Sequence, residues 1–217
     1  MTAADLSRCR LYAILDLGYV EMLAAPRILE ALGRGGIDLI QLRAKNLSTG
    51  EIEEFAAELH STTTRLGLPL IINDHPEIAR NVRAEGVHLG QDDMSIADAR
   101  KIVGAACAVG KSTHSLDQAI RAFYEGADYI GFGPLFATPT KPDYPPIGLN
   151  EIGRVHDAVR IPIFCIGGIK LDNLPEVIEA GARRVAIVSG LLQAPDPAEY
   201  SRAAKQLLLH RPLTFDL

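Results

Sequence analysis

Eight short apolar runs, each followed by a stretch of different periodicity, leave this chain very few folds. The runs are LYAILDL (11–17), IDLIQLR (37–43), PLIIND (69–74), GVHLG (86–90), CAVGKS (107–112), DYIGFG (128–133), IPIFCIG (161–167) and RVAIVS (184–189). They are nearly continuous in Ile, Leu and Val, as expected of parallel strands buried on both faces. Helical stretches lie between them. Ser48 and Glu51 at the head of STGEIEEFAAELHSTTTRL form a capping-box pattern. SIADARKIVG (95–104) and SLDQAIRAFYEG (115–126) each begin with Ser and end with Gly, and DPAEYSRAAKQLLLH (196–210) reads as the last helix. Gly67, Gly86, Gly126 and Gly181 fit helix C-terminal caps.

Eight such units in 217 residues predict an α/β fold, a single-domain (β/α)8 TIM barrel over residues 1–217. A doubly wound open sheet shows the same local alternation but usually has fewer strands at this length. With 47% apolar residues the chain can fill such a core. A net charge of −5, with both signs interspersed, gives no reason to expect nucleic acid or an anionic membrane as partner. No apolar run approaches the ~20 residues that span a bilayer, and the N-terminal stretch lacks a signal-peptide pattern. Cys9, Cys107 and Cys165 are odd in number and far apart, and two sit in apolar runs. They read as buried free thiols, which points to a cytoplasmic location.

Polar residues gather at one end of these strands, where a barrel builds its active site. In chain order they are Gln41, Arg43 and Lys45, then Asn73 and Asp74, then Gln91 to Asp93. Lys111, Ser112 and His114 follow, then Thr138, Thr140 and Lys141. Packing alone does not explain that recurrence. Asp74 and Asp93 follow adjacent strands, whose axes lie about 4.8 Å apart. Their carboxylates can converge on Mg²⁺, which takes one or two carboxylates plus substrate phosphates and water. Alternatively, each caps the helix that follows. Arg43, Lys45 and Lys141 supply positive charge for phosphate groups. Gly167–Gly168 and Val188–Ser189 end the last two strands, where barrels commonly offer backbone amides to phosphate. His75, His88 and His114 read as packing or hydrogen-bonding residues, and Asp16 as a pocket wall. No G-x-S-x-G nucleophile motif is present.

A long irregular stretch, GPLFATPTKPDYPPIGL (133–149), interrupts this regular plan. Loops of that length inside a compact domain are usually functional or disordered. Proline limits the unfolded freedom of such a segment, and Lys141 gives it a charge to deliver.

The ordered set of QLRAK (41–45), IINDHPEIA (71–79), GVHLGQDD (86–93), GKSTHS (110–115), DYIGFGPLFATPTK (128–141), IPIFCIGGI (161–169) and VAIVSG (185–190) resembles the thiamine-phosphate synthase family. The resemblance spans nearly the whole chain. It implies a (β/α)8 barrel that joins a hydroxymethylpyrimidine diphosphate to a thiazole phosphate and releases pyrophosphate. By matching position, Gln41, Arg43 and Lys45 contact the pyrimidine diphosphate and Asn73 hydrogen-bonds it. Asp74 and Asp93 bind Mg²⁺, Ser112 holds the pyrimidine, and Lys141 sits on the diphosphate. Thr138, Thr140, Gly167, Gly168, Val188 and Ser189 take the thiazole phosphate. Arg43, Lys45, Ser112 and Lys141 form the implied catalytic set. The partners implied are small phosphorylated molecules, and a homodimer is compatible. One departure is Ala44, where the family often carries Glu.

Three rivals stand beside that reading. A thiazole tautomerase on the same barrel needs a general acid/base, and a His in place of Pro134 would favour it. A non-catalytic barrel that binds thiazole or pyrimidine phosphates needs no leaving-group stabilisation, so Asp74, Asp93 and Lys141 argue against it. A phosphate-binding epimerase would show paired metal-ligand histidines, which are not visible in the sequence.

Overall fold

The eight predicted runs form strands that close on themselves. The computed structural model describes residues 3–138 and 144–210. The strands are β1 (Leu11–Asp16), β2 (Leu39–Arg43), β3 (Leu70–Asn73) and β4 (Gly86–Leu89), then β5 (Ala108–Thr113), β6 (Tyr129–Phe132), β7 (Ile163–Ile166) and β8 (Val185–Ile187). Each pairs in parallel with its sequence neighbours, and β1 pairs β8, giving a closed barrel in the order β1 to β8. Tyr12 opposes Leu39 on one side and Ala186 on the other.

Several strands are a residue or two shorter than the apolar runs that announced them. Ile37 shows the reason: it is only 4% exposed, yet it precedes β2. Burial continues into the loops, whereas ladder pairing does not.

Helices shield the outer face. They are α1 (Ala3–Arg8), α2 (Ala25–Gly35), α3 (Thr49–Leu66), α4 (Pro76–Val82), α5 (Ile96–Val103), α6 (Leu116–Tyr124), α7 (Ile152–Ala158), α8 (Leu174–Glu179), α9 (Ser189–Leu192) and α10 (Pro197–Leu209). The predicted start signals act as read. Ser48 and Glu51 exchange capping bonds ahead of α3, while Ser95 and Ser115 accept from Asp98 N and Gln118 N. Gly67 stops α3 at φ 66°, in the left-handed conformation that glycine adopts without steric cost. Gly86 is a correction. It opens β4, and the left-handed cap of α4 is Arg83 at φ 59°. None of the described helices is long and apolar enough to cross a membrane.

Two cores result from the period-2 pleat. Leu42, Ile72, Val109 and Ile130 face outward into the layer beneath the helices. Tyr12, Ile14, Leu39, Ile71, Tyr129 and Phe164 fill the barrel. Leu6 of α1 joins that inner cluster, fully buried. The three cysteines are buried and free, as the sequence suggests, and burial pushes the Cys9 and Cys165 thiols up to about 12 and Cys107 to about 11.

Candidate active site at the barrel mouth

The same pleat that buries Ile71 sends alternate residues near the C-terminal strand ends into one cavity. Gln41 and Arg43 come from β2, Asn73 from β3 and Ser112 from β5. Thr138 from the loop after β6, Gly167 and Gly168 after β7, and Val188 and Ser189 after β8 line it too. Nine residues singled out from the sequence thus share one space. Its apolar wall includes Ile14, Phe164 and Ile166. Lys45 lines an adjoining groove together with Asp16 and Arg43. Thr140 and Lys141 lie outside the described residues.

Asp74 and Asp93 meet at the rim. They share a side-chain hydrogen bond, and the Lys45 ammonium donates to Asp74 Oδ2. Asp93 Oδ2 also accepts from the Gly90 amide at 2.6 Å. Burial opposes ionisation of both carboxyls. At Asp74 the bonds from Asp93 and Lys45 outweigh burial and hold the group below the usual carboxylate range. At Asp93 burial and the bond to Asp74 push the group above it.

Neither carboxylate caps a helix. Ser95 caps α5, and α4 has no side-chain cap at all. Asp74 instead adopts φ 65°, a left-handed conformation uncommon outside glycine and one to which Asp is better suited than most residues. With capping removed as the explanation, this acid pair is a place that could hold a divalent cation. Its donor atoms are carboxylate oxygens, the hard ligands magnesium takes. Among the described residues no cluster of three or more His, Cys, Asp or Glu side chains is arranged for a metal. Such a two-carboxylate site suits an ion that draws its other ligands from substrate and water.

Arg43 is anchored by a partner the sequence reading left without a role. Its Nη1 donates to Asp16 Oδ2 at 2.5 Å, and Asp16 also accepts from the Gly18 amide at 2.9 Å. Asp16 is only 2% exposed. Register makes the pair, since Asp16 lies directly opposite Arg43 across β1 and β2, and alternation along either strand alone carries no signal of it. Lys111, one of the polar strand-end residues, is spent elsewhere: it is buried and donates to the Gly90 carbonyl at 2.7 Å. His88 and His114 are hydrogen-bonding residues, as read, His88 bridging Tyr129 and Ser112.

The glycine turn after β7 is fixed by close backbone approach. Gly167 (φ 99°) accepts from Phe136 N at 3.1 Å, and a Cβ on Gly167 would lie 2.4 Å from Pro134 Cβ. Only glycine lets the β6 and β7 loops touch there. Opposite it, Ser189 and Gly190 form the first turn of α9, and amides in a first helical turn have no intrahelical acceptor.

Residues 11–191 match the family model of thiamine monophosphate synthase. A thiamine-phosphate synthase of Chloroflexus aurantiacus is 42% identical over 209 residues, covering 96% of each chain. One from Thermus thermophilus is 41% identical over 175 residues, which is 80% of this chain and 84% of that one. Among solved structures, the thiamine phosphate pyrophosphorylase of Pyrococcus furiosus superposes with a TM-score of 0.85 at 31% identity, covering 94% of this chain and 98% of that one. A 3-hexulose-6-phosphate synthase, 19% identical with a TM-score of 0.69, shares the barrel alone. The chain belongs to the thiamine monophosphate synthase family, transferases of thiamine biosynthesis.

Proposed function

We propose that the mouth cavity joins 4-amino-2-methyl-5-hydroxymethylpyrimidine diphosphate to 4-methyl-5-(2-phosphooxyethyl)thiazole, or its carboxylated form, giving thiamine phosphate and pyrophosphate. The observation that carries this reading is the Asp74–Asp93 pair beside Lys45, at the rim of a cavity floored by Gln41 and Ser112. Asp74 and Asp93 would hold Mg²⁺, which when bound supplies positive charge to the departing diphosphate. Lys45 and Arg43 grip the same leaving group, Arg43 with its guanidinium pre-aimed by Asp16. Lys141 joins them on the strength of the family resemblance, and Thr140 joins Thr138 on the thiazole phosphate.

The C–O bond to diphosphate breaks, and electron donation from the ring amino group stabilises the resulting pyrimidinyl-methyl cation. The thiazole nitrogen then attacks the methylene carbon. Asn73 and Ser112 hold the pyrimidine in line, a positional contribution. Ile14, Phe164 and Ile166 wall off water that would otherwise capture the cation. The Gly167–Gly168 turn and Val188–Ser189 anchor the thiazole phosphate at the far side. No protein base or nucleophile is required.

The test is incubation of the protein with both substrates and Mg²⁺ while pyrophosphate is measured. Release that needs both substrates, and that stops on chelation of the metal, is the expected result. A shifted thiazole double bond without pyrophosphate would identify a tautomerase instead. Binding without either reaction would identify a non-catalytic binder.

A further inference from the structure

Along the cavity wall Gln41 and Ser112 are joined through Tyr12, Tyr129 and His88, three side chains that the proposed chemistry does not itself call for. Gln41 Nε2 donates to Tyr12 Oη at 2.6 Å, and Tyr12 Oη lies 3.1 Å from Tyr129 Oη. Tyr129 Oη is 3.1 Å from His88 Nδ1, and His88 Nε2 is 3.0 Å from Ser112 Oγ. Both phenols are buried, at 2% and 0% exposure. Burial holds both well above their usual ionisation range, so each keeps its single proton.

Direction follows from counting those protons. An amide NH₂ donates only, so Tyr12 accepts from Gln41, and its own buried proton needs an acceptor. Tyr129 Oη is the one in reach. Tyr129 must then pass its own proton on to His88 Nδ1, which makes Nδ1 an acceptor and leaves the ring hydrogen on Nε2. From Nε2 it goes to Ser112 Oγ. The reverse direction would set Tyr12 Oη to accept from both neighbours and bury its proton without an acceptor, a costly state.

We propose that Tyr12, Tyr129 and His88 act as a one-way hydrogen-bond chain that locks His88 in its neutral Nε2–H tautomer and turns the Ser112 hydroxyl proton toward the cavity. They are positioning residues, acting through Ser112 and Gln41. At the other end of the chain one of the two Gln41 amide hydrogens goes to Tyr12, which orients the side chain and leaves its oxygen available as an acceptor. The cavity therefore selects a flat ring that offers an acceptor to Ser112 and a donor to Gln41. An aminopyrimidine has both, and this choice of ligand rests on the function proposed above. The barrel makes room for the chain with glycine. A Cβ on Gly110 would stand 2.2 Å from the Tyr129 ring and 2.6 Å from His88 Nδ1.

The direct test is long-range proton–nitrogen correlation NMR of the full chain labelled with ¹⁵N-histidine, near neutral pH and without substrate. His88, assigned through its contact with the Tyr129 ring, is expected to show a single Nε2–H tautomer. A single Nδ1–H tautomer, a protonated ring or an averaged signal overturns the proposal. Tyr12→Phe removes one relaying hydroxyl and keeps the ring. It is expected to release His88 into exchange between tautomers and to raise KM for the pyrimidine diphosphate about 5–10-fold, with kcat within about twofold. A His88 signature unchanged by Tyr12→Phe overturns the role of the tyrosine pair. If that variant does not fold, the wild-type spectrum alone decides. Because the tautomer is read without substrate, its failure leaves the pyrophosphate assay untouched, and a failed assay leaves the tautomer untouched.

Discussion

Replacing Asp93 with alanine is expected to lower turnover by about 10²-fold or more with the barrel intact. Two roles for this side chain predict opposite outcomes. A helix cap would cost about 1 kcal/mol of stability when removed and little activity. Asp93 caps nothing; its protein partners are Asp74 and the Gly90 amide. Losing the Gly90 bond costs about 1 kcal/mol, or about 2–4 °C in Tm for a chain of this size. On the proposed function, what turnover loses is one of the two carboxylates that would hold Mg²⁺ against the departing diphosphate. Steady-state pyrophosphate release beside a thermal melt separates the two: a near-normal rate in a visibly destabilised variant would mean that Asp93 is structural.

Arg43→Ala is expected to damage both quantities. It leaves the side chain of Asp16, 2% exposed, with the hydrogen bond from the Gly18 amide. Stranding a buried charge costs about 3 kcal/mol or more, so Tm is expected to fall by about 6–12 °C. On the proposed function the lost guanidinium would also remove a grip on phosphate, and kcat/KM is expected to drop about 10²-fold. A compensated pair separates these effects. Arg43→Met with Asp16→Leu removes both charges and is expected to recover most of the stability, since a buried ion pair replaced by packed apolar groups is often neutral. Activity is expected to stay low. If the double variant regains turnover along with Tm, Arg43 serves the fold and not the diphosphate.

The barrel was legible because its signals are local. Ile-, Leu- and Val-rich runs mark strands buried on both faces, and Ser48, Ser95 and Ser115 mark helix starts within a few residues of themselves. Helix α1 was not legible: six residues show too little periodicity, and Leu6 reveals its purpose only once the barrel exists to be plugged. The cap at Arg83 escaped for a similar reason, because left-handed backbone outside glycine leaves little trace in composition. At the site, strand-end parity was enough to bring Gln41, Arg43, Asn73 and Ser112 together. Parity did not disclose which neighbours complete them. Asp16 meets Arg43, and Tyr12 meets Tyr129 across 117 positions, only through register and closure. Lys111 shows the converse, since a cation at a strand end can be consumed by a backbone carbonyl before any ligand arrives.

The central claim is that Asp74 and Asp93 draw Mg²⁺ and a diphosphate to the same rim. Calorimetric titration of inorganic pyrophosphate into the wild-type chain and into the Asp74→Asn, Asp93→Asn double variant, each with and without Mg²⁺, tests it most directly. The wild type is expected to bind pyrophosphate at least about tenfold more tightly with the metal than without, a difference of about 1.4 kcal/mol, and the double variant to lose that difference. Equal metal dependence in the two proteins would contradict the account.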